Sequence, residues 1–122
     1  MSPKCSPQGT ILAAKEWVSG WWLYSPDTRA WREIVPASSS VHVNYPTWSR
    51  DGRFIYGLSL DERAIVRLRA DEFRPERFAG LGAIEPTAPW MSPWMGLDSE
   101  DAPLVLRDTG MSDIYVLDWE AP

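Results

Sequence analysis

An all-β architecture of repeated antiparallel units is what the 122-residue sequence predicts, and three observations carry it. A stretch of chain recurs after 43 residues, turn-forming residues fall at fixed places in each copy, and the apolar residues never hold a helical period for three turns. The copies S-P-K-C-S-P-Q-G-T-I-L and Y-P-T-W-S-R-D-G-R-F-I-Y align without a gap. Pro3 then matches Pro46, Ser6 matches Ser49, Gly9 matches Gly52 and Leu12 matches Ile55. A third, degraded copy runs from Pro93-Trp94-Met95 through Asp98-Ser99-Glu100-Asp101 to Leu104-Val105-Leu106.

Each copy opens as strand, tight turn, strand. Ser49-Arg50-Asp51-Gly52 is a turn by residue type, because Ser and Asp bond nearby backbone N–H groups and Gly permits positive φ. The strand after it covers residues 53–59, with counterparts at 10–17 and 104–107. These runs are almost continuously apolar, which suits strands covered on both faces. A second strand pair follows in each copy. Residues 21–25 lead through Pro26-Asp27-Thr28-Arg29 to 30–35, residues 64–68 lead to 76–79, and 113–118 lead to the final 119–122. Four short antiparallel strands in about 43 residues is the mark of a β-propeller blade. The expected fold is therefore all-β, a partial β-propeller of about three four-stranded antiparallel blades with the last incomplete. Blade 1 covers about 1–41, blade 2 about 42–87 and blade 3 about 88–122.

The motif P-x-W-S-x-D-G at 46–52, followed by an apolar strand, resembles the WD-repeat-like blades of TolB-type propellers. The ending L-V-L-R-D-T-G at 104–110, followed by I-Y-V-L-D-W-E at 114–120, is similar to the C-terminal end of bacterial, notably acidobacterial, TolB-like proteins. The resemblance implies a protein-interaction or sensor scaffold without catalytic activity. Two features depart from the pattern: Cys5 stands where the second copy has Trp48, and Gln8 where it has Asp51. Cys5 is expected to fill a tryptophan's place in the core.

Composition agrees with a folded, frequently turning chain. Hydrophobic residues make up 44%, with eight tryptophans, eleven prolines and eight glycines. There is no apolar run of membrane-spanning length and no basic-then-apolar leader, so a cytoplasmic location is favoured and no membrane partner is expected. The net charge of −5 argues against direct nucleic-acid binding, which needs Lys and Arg for phosphate neutralisation. Residues 50–77 hold seven arginines, whereas residues 85–122 hold eight acids against Arg107 alone.

Little in the sequence points to chemistry. His42 is the one histidine, and no G-x-S-x-G elbow aims a serine at it. Asp98-Ser99-Glu100-Asp101 invites a cation reading but aligns with a hairpin turn, and Asp61-Glu62 and Asp71-Glu72 fall in other loops. The paired carboxylates of a glycosidase stand at no distinctive position. No catalytic, cofactor-binding or metal-ligating residue is assigned, and no cofactor. Trp48, Trp94, Trp21, Trp22 and Trp31 fall on strands and are expected to pack, which leaves Trp90, beside Met91 and Met95, as the candidate for ligand or partner contact. Three blades in a row leave two wet apolar faces. The expected partner is accordingly the chain itself, as a homodimer closing a ring, or the missing blades of a longer chain; another protein partner is possible. A propeller hydrolase, the accessory propeller of a serine peptidase and a sugar- or peptide-binding lectin-like ring are the competing readings.

Overall fold

The computed structural model describes residues 4–9, 11–15, 19–36, 43–72, 74–84 and 95–107. Among these described residues ten strands run in chain order: β1 (Lys4–Cys5), β2 (Ile11–Lys15), β3 (Ser19–Ser25), β4 (Ala30–Val35), β5 (Asn44–Trp48), β6 (Phe54–Ser59), β7 (Ala64–Arg69), β8 (Pro75–Gly80), β9 (Met95–Leu97) and β10 (Pro103–Val105). They form three antiparallel sheets: β1-β2-β3-β4, β5-β6-β7-β8, and the ribbon β9-β10. The all-β expectation holds. The partial β-propeller does not, and the TolB-like and WD-repeat-like resemblance goes with it. Among the described residues the sheets are separate, and none closes on itself or curls into an arrangement of blades. Among the described residues the third copy supplies only two strands of three residues each, enough to cap a neighbour but not to act as a further four-stranded unit.

The layers stack in chain order with the second sheet in the middle. Side chains alternate across a strand, so each sheet has two distinct faces. Ile55 and Leu68 on one face of the second sheet meet Trp21, Ile34 and Val35 of the first sheet. Tyr56, Leu58 and Ile65 on its other face gather Leu81, Met95, Leu97 and Val105, burying it beneath the ribbon. This two-sided burial explains the nearly unbroken apolar run of β6, in which every residue from Ile55 to Ser59 is buried.

Gly57 sets the distance between the first two sheets. A Cβ built there would lie 2.2 Å from Val43 Cγ1 and 2.6 Å from the Trp21 ring, so the indole occupies the space a side chain would need. Trp21 Nε1 donates to the Val43 carbonyl at 2.9 Å, which pins the ring in that place. On β4 a register shift opposite Trp21 and Trp22 places an extra residue in the strand. Ile34 and Val35 are therefore both buried although adjacent in sequence.

Two tight turns carry an arginine in the left-handed region, Arg29 at φ 51 and Arg63 at φ 48. Arg63 also donates to the Gly82 and Ile84 carbonyls, whereas Arg29 is an exposed residue of the β3–β4 turn. Replacing Arg29 with glycine removes a left-handed cost of about 1–2 kcal/mol, partly offset by the looser unfolded chain. Arg29→Gly is expected to raise stability by up to about 1 kcal/mol, measurable as a higher urea midpoint. Tyr45, at φ 57 within a bulge of β5, is a bulky residue in the same region. Its packing against the second core cluster offsets that strain.

Candidate functional site

Three turns line up at one end of the stack. In each, the fourth residue donates its backbone N–H to the carbonyl of the first: Gly9 to Ser6 at 3.0 Å, Gly52 to Ser49 at 3.0 Å and Asp101 to Asp98 at 3.2 Å. Each fourth residue has positive φ, at 83, 71 and 61° respectively, so Asp101 takes the position glycine holds in the other two. The repeat is thus visible as geometry. It also forms bonds between copies: Gln8 Nε2 donates to the Asp51 carbonyl at 2.8 Å, across 43 residues. Arg50 reaches the third turn, with its backbone N–H on Asp101 Oδ1 at 3.0 Å and its guanidinium on the Ser99 carbonyl at 2.6 Å.

Within the middle turn, Ser49 Oγ donates to Asp51 Oδ1 at 2.6 Å and accepts from the Phe54 N–H at 3.0 Å. The Arg53 N–H donates to the same Asp51 oxygen at 3.0 Å. The Ser49 hydroxyl and then the Arg53 N–H hold the Asp51 carboxyl below its ordinary value of 3.8. A depressed carboxyl contributes stability above its unfolded pKa and loses it as pH falls through the folded one. Asp51→Asn is therefore expected to be less stable than the natural chain at neutral pH, the gap closing on acidification below about pH 4. Urea midpoints measured across a pH series check this. These bonds use the turn's polar groups for structure, and Asp98 Oδ1 is similarly engaged by the Glu100 and Ala102 N–H groups.

The second candidate lies on the outer face of the first sheet. Ile11 pairs with Tyr24, Tyr24 with Trp31, and Trp22 with Glu33, and directly paired residues share a face. By alternation this is the face opposite Trp21 and Leu23. Tyr24 and Trp31 stack at 5.1 Å with their planes tilted by 49°. Ile11, Trp22 and Tyr24 are half-buried, while Trp31 is 51% exposed. Cys5 pairs with Ile11, as Trp48 pairs with Ile55. Structurally, then, Ile11 is the counterpart of Ile55, and the ungapped match of Leu12 with Ile55 is one residue out. The face holding Ile11 corresponds to the face of the second sheet that the first sheet buries. Trp48 accordingly packs against the inner cluster, with its Nε1 buried and without a hydrogen-bond partner among the described residues. Cys5 is exposed and not the core residue expected from the alignment.

The third candidate is a cation–aromatic cluster beside β8. The Arg67 guanidinium lies 4.6 Å from the Phe54 ring centre and 4.9 Å from that of Phe78, and Phe78 meets Tyr56 edge-on at 5.3 Å. Arg67 is paired with Glu76, and that hydrogen bond, followed by one with Tyr56, raises its pKa. Glu62, Val66, Pro75, Glu76 and Arg77 line an adjoining open cleft of about 460 Å³. All six residues of β8 are exposed, yet the strand is a poor template for another chain. Pro75 lacks an N–H, charges follow it, and a register shift between Ile65 and Val66 leaves Phe78 bulged.

No family model, curated protein or solved structure matches the chain. The TolB-like resemblance thus has neither sheet topology nor a family match behind it, and the propeller scaffold, propeller hydrolase and lectin-like ring lose the architecture they require. Trp90 and His42 lie outside the described residues, as does the strand expected at 113–118. Among the described residues, no group of three or more His, Cys, Asp or Glu is placed to hold a metal ion, and no helix is long and apolar enough to cross a membrane. Trp21 packs as its strand position implied, whereas Trp31, expected to pack, is exposed. Its signal was the polar neighbourhood Arg29-Ala30-Trp31-Arg32-Glu33 on a strand that, among the described residues, is the last of its sheet.

Proposed function

We propose that this chain is a non-enzymatic binding domain that engages a protein partner through the outer face of its first sheet. The observation that carries the reading is the contrast between equivalent faces. On the second sheet this face is buried, with Ile55 and Leu68 at 0% exposure, while on the first Trp31 is 51% exposed and Ile11, Trp22 and Tyr24 are only half-buried. Aromatic side chains supply large contact area at low entropic cost and are enriched at protein interfaces. The acidic balance favours a protein over a nucleic acid. A cytoplasmic setting accords with an exposed thiol at Cys5, which a reducing compartment keeps reduced.

Fluorescence of 8-anilinonaphthalene-1-sulfonate, measured with dilute protein, tests the face directly. The dye is expected to bind the natural chain and to lose most of its enhancement with Tyr24→Ser/Trp31→Ser, circular dichroism confirming that the sheets persist. Unchanged dye fluorescence in that variant would remove the face as a binding surface.

A further inference from the structure

We infer that the partner of this face is a second copy of the chain, bound head to tail. The inference rests on the reading above and names its partner. The molecule already makes the required contact twice. The Trp21 face of the first sheet seats on the Ile55 face of the second, and the Tyr56 face of the second seats on the Met95 face of the ribbon. Each contact joins unlike faces in one direction along the stack, and the turns are bonded in the same order, Gln8 to Asp51 and Arg50 to Ser99 and Asp101.

Such a stack has two different ends. At one, the first sheet presents the aromatic face that corresponds to the Ile55 face. At the other, Leu104 pairs with Gly96 on the side of the ribbon away from the core, and Leu104 and Leu106 are 46% and 45% exposed. That side corresponds to the face with which each sheet grips the next layer. The Leu104 end of one copy and the Trp31 end of another therefore repeat a contact the fold makes internally. A heterologous contact of this kind extends the assembly beyond two copies, either as an open chain or until it closes.

Light scattering over a concentration series tests this with the whole chain. The weight-average mass is expected to rise from 13.9 kDa past the dimer as the protein concentration increases. Trp31→Glu and Leu104→Glu each replace an exposed residue and remove one end, so each variant alone should stay monomeric. Mixed together, they keep one complementary pair of ends and should form a 1:1 dimer that grows no further. In the natural chain, Cys5 is expected to react more slowly with a thiol reagent as protein concentration rises, a measurement that needs no substitution. A constant mass of 13.9 kDa, or variants that fail to pair on mixing, would overturn head-to-tail association. A constant mass with dye binding still lost in the Tyr24→Ser/Trp31→Ser variant overturns only the second copy. Dye binding that ignores that variant overturns the face itself.

Discussion

Trp21→Ala is expected to lower the unfolding free energy by about 3–5 kcal/mol, the range for removing a large buried aromatic. Trp21 is 3% exposed and lies at the centre of the cluster joining the first two sheets, in contact with Gly57 and Val43. The substitution empties the space between the layers and also leaves the Val43 carbonyl without the indole N–H it accepts. That sum is a large share of the stability of any domain of this size. Urea unfolding followed by circular dichroism measures it. A loss below about 1 kcal/mol would show that the two sheets do not depend on this contact.

Gly57→Val is expected to cost about 3 kcal/mol, at the upper end of the range for overfilling a packed core. Even the first carbon of a side chain at this position falls well inside contact distance of Val43 and the Trp21 ring. The ring cannot swing aside without giving up its hydrogen bond to Val43. The two substitutions should not be additive, because they act on one space from opposite sides. Gly57→Val introduced into Trp21→Ala fills part of the cavity, so the double variant is expected to be more stable than the sum of the two losses. Additivity within about 0.5 kcal/mol would place the ring and the glycine in separate environments.

Most strands were legible in the sequence because turn chemistry and apolar runs are local properties. Phe54–Ser59 and Ala30–Val35 lie where their residue types placed them, and the Ser-x-Asp-Gly turn falls between β5 and β6. The third turn was legible too, although Asp101 stands where the other copies have glycine, because Asp98 supplies the same local bonds. The arrangement of the sheets was not legible. Four strands per copy satisfies a ring of blades and a stack of separate layers equally well, and only the packing of Trp21 over Gly57 and of Met95 beneath Leu58 distinguishes them. The register of the first copy was misread for a related reason. An ungapped alignment carries its spacing through a turn, whereas the pairing of Cys5 with Ile11 shortens that loop by one residue relative to Trp48 with Ile55. That residue decides which face Cys5 and Ile11 share, and with it the face the candidate site occupies.

Each of the two larger sheets is a plain meander, its strands hydrogen-bonded in the order in which they occur along the chain. Every ladder therefore joins neighbours separated by a short loop, which keeps the entropy lost on closing each contact low. Among the described residues, the first sheet has its pairing partners by residue 35, and the second by residue 80. A chain emerging N-terminus first from the ribosome can zip each sheet as soon as its last strand is made, with no wait for distant sequence. What must wait is Trp21, whose indole has no seat until Gly57 has been synthesised. Assembly in the cell then runs as local zipping of each sheet followed by docking between layers, and the seating of Trp21 over Gly57 is a step at which synthesis and folding have to keep time.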